Sequence, residues 1–125
     1  MKPSVALTIA SLLSILLMTL HLADDVVRGF ERATVSLFAV PILVIWLYGT
    51  LALAGRRSGY VIILLASLLG TLAPIIHFRG MRDEFAQSSG AFSFVWTLIA
   101  LGVTALFSVV LSARELWRPG WGHAR

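Results

Sequence analysis

Four long apolar segments restrict this chain to very few folds. They lie at about residues 4–23, 33–54, 59–78 and 91–113, with short polar stretches between them. A helix needs about 20 mostly apolar residues to cross the hydrocarbon core of a bilayer. Each segment meets that length, so the sequence predicts an all-α integral membrane protein with four transmembrane helices.

The composition supports the same class of protein. Hydrophobic residues make up 58% of the chain and charged residues 13%, whereas soluble domains have a more even balance. The 125 residues suffice for one domain, and the apolar segments leave little sequence outside them. Any function must therefore lie in the helices or their short loops. The chain has no cysteine, which excludes thiol–disulfide chemistry and metal sites with cysteine ligands.

We interpret residues 1–125 as a single domain, an up-down-up-down antiparallel bundle. The spans are expected at about residues 4–28, 33–54, 59–78 and 91–113. The first helix is predicted to continue past the membrane to Arg28, because Gly29 is typical of a helix end. Its apolar run is longer than the roughly 7–15 residues of a signal peptide, and no pair of small residues suited to cleavage precedes Asp24. We therefore interpret this segment as a retained span.

Polar residues on the first predicted helix follow one face. They recur at steps of three or four, with the apolar Met18 completing the series: Ser4, Thr8, Ser11, Ser14, Met18, His21, Asp25 and Arg28. Small hydroxyl residues let helices approach closely and can hydrogen-bond across a helix pair, so such a stripe typically faces protein. The stripe therefore predicts that His21 and Asp25 point into the bundle.

Two other predicted helices carry faces of small residues. On the third helix, steps of four, three and four join Ala66, Gly70, Ala73 and His77. On the fourth helix, steps of four join Ala100, Thr104, Ser108 and Ser112. The first set predicts a packing face that leads to a histidine, and the second predicts a homo-oligomer formed through the fourth helix.

The second predicted helix contains a proline and two aromatic residues with polar groups. Pro41 cannot donate a hydrogen bond to the carbonyl of Leu37, so a kink or local unwinding is expected there. Trp46 and Tyr48 are predicted to lie in the belt of aromatic residues at the membrane surface.

The basic residues predict the orientation in the membrane. One side carries six cations: Lys2, Arg56, Arg57, Arg114, Arg118 and Arg125. The other side carries four: Arg28, Arg32, Arg79 and Arg82. The positive-inside rule then predicts a bacterial-type inner-membrane protein with both termini in the cytoplasm. Because the cations are scattered at helix ends, they indicate topology rather than nucleic-acid binding, and the expected partner is the lipid bilayer.

A candidate site lies at the extracytoplasmic ends of the first and third helices. His21 and His77 are each 16 or 17 residues into their spans, which puts both roughly 24–26 Å above the cytoplasmic boundary. Asp25 is one turn beyond His21, and Asp24 is adjacent. Further charged residues near this level are expected to support the site or bind its ligand: Arg28, Arg79, Arg82, Asp83 and Glu84.

Several interpretations of this cluster stay open. The charges could form only surface ion pairs, because Asp24 and Arg28, like Arg79 and Asp83, are four residues apart. A divalent transition metal could bind His21, Asp25, His77 and Asp24, and a haem b between the two histidines is a less favoured variant. We favour a small non-enzymatic binding protein or complex subunit that holds a transition-metal ion. The alternative is a membrane-embedded enzyme, or a lipid-binding or transport protein, that uses the same cluster.

Overall fold

The described residues form four helices, and the predicted all-α membrane class is confirmed. The computed structural model describes residues 3–29, 33–80 and 91–120, which contain no strand. The helices are α1 (Pro3–Arg28), α2 (Ala33–Leu51), α3 (Arg57–Gly80) and α4 (Ala91–Leu116). By length and composition, α1, α3 and α4 are each able to cross a membrane, whereas the apolar part of α2, Leu37–Leu51, is shorter.

Two glycines lie where helices end. Gly29 follows α1 with a φ of 75° and donates its N–H to the carbonyl of Val26, as expected for a left-handed residue at a helix end. Gly55, with a φ of 76°, lies in the turn between α2 and α3. In that turn the N–H groups of Ala52 and Leu53 both donate to the carbonyl of Tyr48. The regular part of α2 therefore ends three residues before the predicted boundary at 54.

The helices do not contribute equally to the bundle. α4 packs against both α3 and α1, whereas the described part of α2 packs on α1 and α3 alone. α2 stays helical on both sides of Pro41, so the unwinding predicted at that proline is not seen. Pro74 of α3 packs closely on α4, because a β-carbon added to Gly102 would lie 3.0 Å from its ring.

Trp46 does not lie in an aromatic belt; its side chain is 1% exposed and packs in the core. Its indole Nε1 donates to Ser11 Oγ at 2.9 Å, and its carbonyl accepts the hydroxyl proton of Thr50 at 2.8 Å. Ser11 therefore donates to Thr50 Oγ1, 2.7 Å away. The prediction for Trp46 was wrong because a hydroxyl on α1 satisfies the indole inside the bundle.

The polar stripe of α1 faces the interior, as the sequence predicts. Ser11, Ser14, His21 and Asp25 are all buried. On α3, Ala66 and Gly70 are buried, and a β-carbon at Gly70 would lie 3.1 Å from that of Ala105 on α4. Small residues thus bring α3 and α4 into close contact.

Part of the small-residue face of α4 lies inside a single chain. Ser108 and Ser112 are fully buried, and their hydroxyls donate to the carbonyls of Thr104 and Ser108. These two serines therefore have no surface to offer a second copy. The predicted homo-oligomer stays a prediction, with only Ala100 and Thr104 of the proposed face partly exposed.

The close approach between α2 and α3 yields a first test. A β-carbon at Gly59 would overlap the carbonyl oxygen of Leu53 and would lie 2.8 Å from that of Gly49. Because both obstacles are backbone atoms, we expect Gly59→Ala to lower the free energy of unfolding by about 1–3 kcal/mol. Denaturant unfolding of the purified protein measures this change. The control is Ser58→Ala at the exposed neighbouring position; equal stability of the two variants would contradict the packing.

Candidate metal centre

Three titratable side chains meet where α1 and α3 end. His21 and Asp25 lie one turn apart on α1, and His77 lies in the last turn of α3. Asp25 Oδ2 is 3.3 Å from Nε2 of His21 and 3.4 Å from Nε2 of His77. The exposed fractions are 2% for His21, 1% for Asp25 and 25% for His77. One carboxylate oxygen therefore faces two imidazoles inside the bundle, and the partly open side is that of His77.

A third helix closes this group. The imidazole rings of His21 and His77 are in edge contact, with centres 4.6 Å apart. The ring of Phe94, from the first turn of α4, lies 5.1 Å from that of His21 and 6.2 Å from that of His77. The group is thus built from the ends of α1 and α3 and the start of α4.

The tautomer of His77 follows from its backbone contact. Nδ1 lies 2.9 Å from the carbonyl oxygen of Ala73. A carbonyl can only accept, so Nδ1 carries the proton, and in the neutral ring Nε2 presents its lone pair to Asp25. Two acceptors 3.4 Å apart repel unless a proton or a cation lies near both. An imidazole whose other nitrogen donates to a carbonyl is also the usual arrangement of a metal-ligating histidine.

Two buried polar atoms of the group make this arrangement more costly. His21 Nδ1 and Asp25 Oδ1 are buried and have no hydrogen-bond partner among the described residues. An unsatisfied buried polar atom costs about 1–3 kcal/mol, and more when the group is charged. These unsatisfied atoms destabilise the fold, so the cluster is unfavourable if it serves only as a structural contact.

The spacing of the donor atoms fits a small metal ion. One ligand atom from each of His21, Asp25 and His77 can be chosen so that all lie within 4.8 Å of one another. Metal–nitrogen and metal–oxygen bonds of about 2.0–2.2 Å in a tetrahedral site put neighbouring ligand atoms about 3.3–3.6 Å apart. The two measured nitrogen–oxygen distances, 3.3 and 3.4 Å, lie in that interval. Imidazole and carboxylate together suit zinc and other divalent first-row metals.

The other charged residues predicted for the site lie elsewhere or outside the described residues. Asp24 Oδ2 accepts from Arg28 Nε at 2.9 Å in a partly exposed ion pair, and Asp24 is not part of the group that His21, Asp25 and His77 form. Arg79 is exposed at the end of α3. Arg82, Asp83 and Glu84 fall in the segment 81–90, which the structure does not describe.

One residue beside the group was not singled out from the sequence. Phe94 is 1% exposed, and its ring lies against those of both histidines. A usable signal was present in the sequence. Phe94, Leu98, Leu101 and Ala105 recur at steps of four, three and four, and all four are buried.

The haem variant does not fit this geometry. A porphyrin would have to lie between the two imidazoles, which are already in van der Waals contact at 4.6 Å between ring centres. The same carboxylate oxygen also approaches both rings. We therefore exclude a bis-histidine haem in this arrangement.

An apolar groove of about 510 Å³ lies between α1 and α2. Its walls include Leu22, Val26, Leu37 and Val40. These α1 residues lie on a different face of the helix from His21 and Asp25. A lipid chain bound in this groove would therefore contact a face of α1 that does not carry the histidine group.

Comparison of the chain with protein families, with curated proteins and with solved structures finds no match. The geometry itself supports a general conclusion. The chain is a bundle with membrane-spanning candidates that brings His21, Asp25 and His77 into one group able to hold a metal ion.

The backbone contact of His77 can be tested directly. We expect its imidazole to be the Nδ1–H tautomer at mildly alkaline pH, because the Ala73 carbonyl accepts that proton. Long-range proton–nitrogen NMR correlations on histidine-labelled protein distinguish the two tautomers, and His77→Gln identifies the signal. A dominant Nε2–H form would contradict the contact.

Proposed function

We propose that this chain is a non-enzymatic integral membrane protein that binds one divalent transition-metal ion, with zinc as the best fit. The proposed ligands are His21, Asp25 and His77, supplied by α1 and α3. The observation that supports this most strongly is the position of Asp25 Oδ2, 3.3 and 3.4 Å from two imidazole nitrogens. Tetrahedral zinc ligands have about this separation.

The neighbouring carboxylates support a metal site over a simple ion pair. Asp24 pairs with Arg28, is 33% exposed, and needs no further explanation as a helix-surface contact. Asp25 is 1% exposed and faces two histidines instead of a permanent cation. Buried charge in a membrane bundle is costly and usually serves a function. A bound cation would compensate the charge of the carboxylate.

The surroundings of the group favour binding over catalysis. Phe94 covers it from α4, and the nearby Asp24 is engaged with Arg28. Among the described residues, no further acid or base is in the group. We therefore propose a metal-holding protein or complex subunit, rather than an enzyme that activates water on the metal.

Metal binding by purified protein tests the proposal. We expect the full chain in detergent, after treatment with a chelator, to bind one zinc ion in a calorimetric titration. His21→Ala, His77→Ala and Asp25→Asn each remove a proposed ligand, and we expect each to weaken binding by at least about tenfold.

The adjacent carboxylate provides the matched control for this experiment. Asp24→Asn removes the same charge one residue away and leaves the three proposed ligands in place, so its zinc affinity should stay close to that of the unaltered protein. Unfolding of each variant is followed in parallel, so that loss of structure is not mistaken for loss of a ligand. Equal affinities for Asp24→Asn and Asp25→Asn would sink the proposal.

We further propose that both termini are cytoplasmic and that the metal group lies near the extracytoplasmic face of the inner membrane. The support is the excess of six cations over four on the side that holds the termini. A fluorescent protein fused after Arg125 should be bright, and alkaline phosphatase at the same position should be inactive. Active phosphatase there would reverse the orientation.

A further inference from the structure

Phe94 is the apolar wall of the metal group. It is fully buried at the start of α4, and its ring is tilted by 51° to that of His21 and by 60° to that of His77. A phenyl ring offers no ligand atom. On the side of α4, therefore, a bound ion would meet hydrocarbon.

A charged pair lies against the same ring. The guanidinium carbon of Arg28 is 5.9 Å from the centre of the Phe94 ring, within cation–π range. Arg28 Nε in turn donates to Asp24 at 2.9 Å. Phe94 thus lies against both histidines and against the Arg28 guanidinium.

The burial pattern limits how many ligands an ion could collect. His21 and Asp25 are almost inaccessible, and His77 is the partly exposed member. An ion held by these three residues needs one more ligand to be tetrahedral but three more to be octahedral. With Phe94 against both histidines, the room beside the ion is restricted chiefly to the side of His77.

We propose that Phe94 determines the metal specificity of this group by holding a bound ion to four ligands. This inference rests on the proposed metal site. Zn²⁺ and Co²⁺ accept tetrahedral surroundings readily, whereas Ni²⁺ favours square-planar or octahedral ones and Mn²⁺ octahedral ones. Apolar surroundings of a metal site also control solvent access. Phe94 touches the ligands rather than the ion, so it acts as a positioning residue.

The chain offers a matched control two residues away. Phe92 is in the same turn of α4, but it is 76% exposed and its ring lies 5.9 Å from that of Trp96. Phe92→Ala therefore removes the same side chain from the same helix. It leaves the histidine group and its wall unchanged.

The experiment uses the full chain in detergent, loaded with Co²⁺ and then titrated with competing Zn²⁺ and Ni²⁺. The unaltered protein and Phe92→Ala should show the intense visible absorption of tetrahedral Co²⁺. Phe94→Ala should show the weak absorption of octahedral Co²⁺, because water can enter beside the ion. Its preference for Zn²⁺ over Ni²⁺ should fall by about tenfold or more.

A milder variant guards against loss of folding. Phe94→Val keeps an apolar side chain but opens part of the wall, and we expect its Co²⁺ spectrum and its Zn²⁺/Ni²⁺ ratio to move in the same direction by a smaller amount. Unchanged spectra and ratios in the folded Phe94 variants would overturn the inference and leave Phe94 as a packing residue. Failure of the unaltered protein to bind Co²⁺ or Zn²⁺ would instead overturn the metal site itself.

Discussion

One carboxylate oxygen joins α1 and α3 at the end of this bundle where the histidines lie. Asp25 Oδ2 lies 3.3 and 3.4 Å from imidazole nitrogens on two different helices, in surroundings that water barely reaches. Removing a carboxylate from water is costly unless a cation or proton compensates it. The neighbouring histidines therefore affect the stability of the helix packing, because they are the groups that face the buried carboxylate. The Ala73 carbonyl orients one of them, so the way α1 meets α3 and the properties of the group are coupled.

Helical phase separates two adjacent carboxylates into different roles. Successive residues of an α-helix are about 100° apart around the axis. Asp25 therefore falls on the inner face with His21, whereas Asp24 turns to the rim and pairs with Arg28. The rim pair resembles any i,i+4 contact on a helix surface and contributes little to stability. The chemical difference between the two residues arises from position alone.

The sequence predicted the parts of the structure that depend on spacing along one helix. The polar stripe of α1 turned His21 and Asp25 inward, and counting residues put His77 at the same level. The sequence did not predict burial correctly where a residue on another helix determines whether a side chain is buried. Trp46 is buried because Ser11 accepts its proton, and α2 is apolar around its whole circumference, so its own pattern reveals no inner face. Phe94 was not singled out because its residue type does not distinguish it from Phe92 and Trp96, which are exposed.

The position of α2 has a consequence for the architecture. The histidine group and the Phe94 ring beside it belong to α1, α3 and α4, while the described side chains of α2 that are buried lie near its C-terminal end, around Trp46 and Thr50. The histidine group thus lies in the part of the bundle that α1, α3 and α4 form together, apart from the contacts of Trp46 and Thr50. A substitution at either of these two α2 residues would therefore alter the core without removing a side chain from the group.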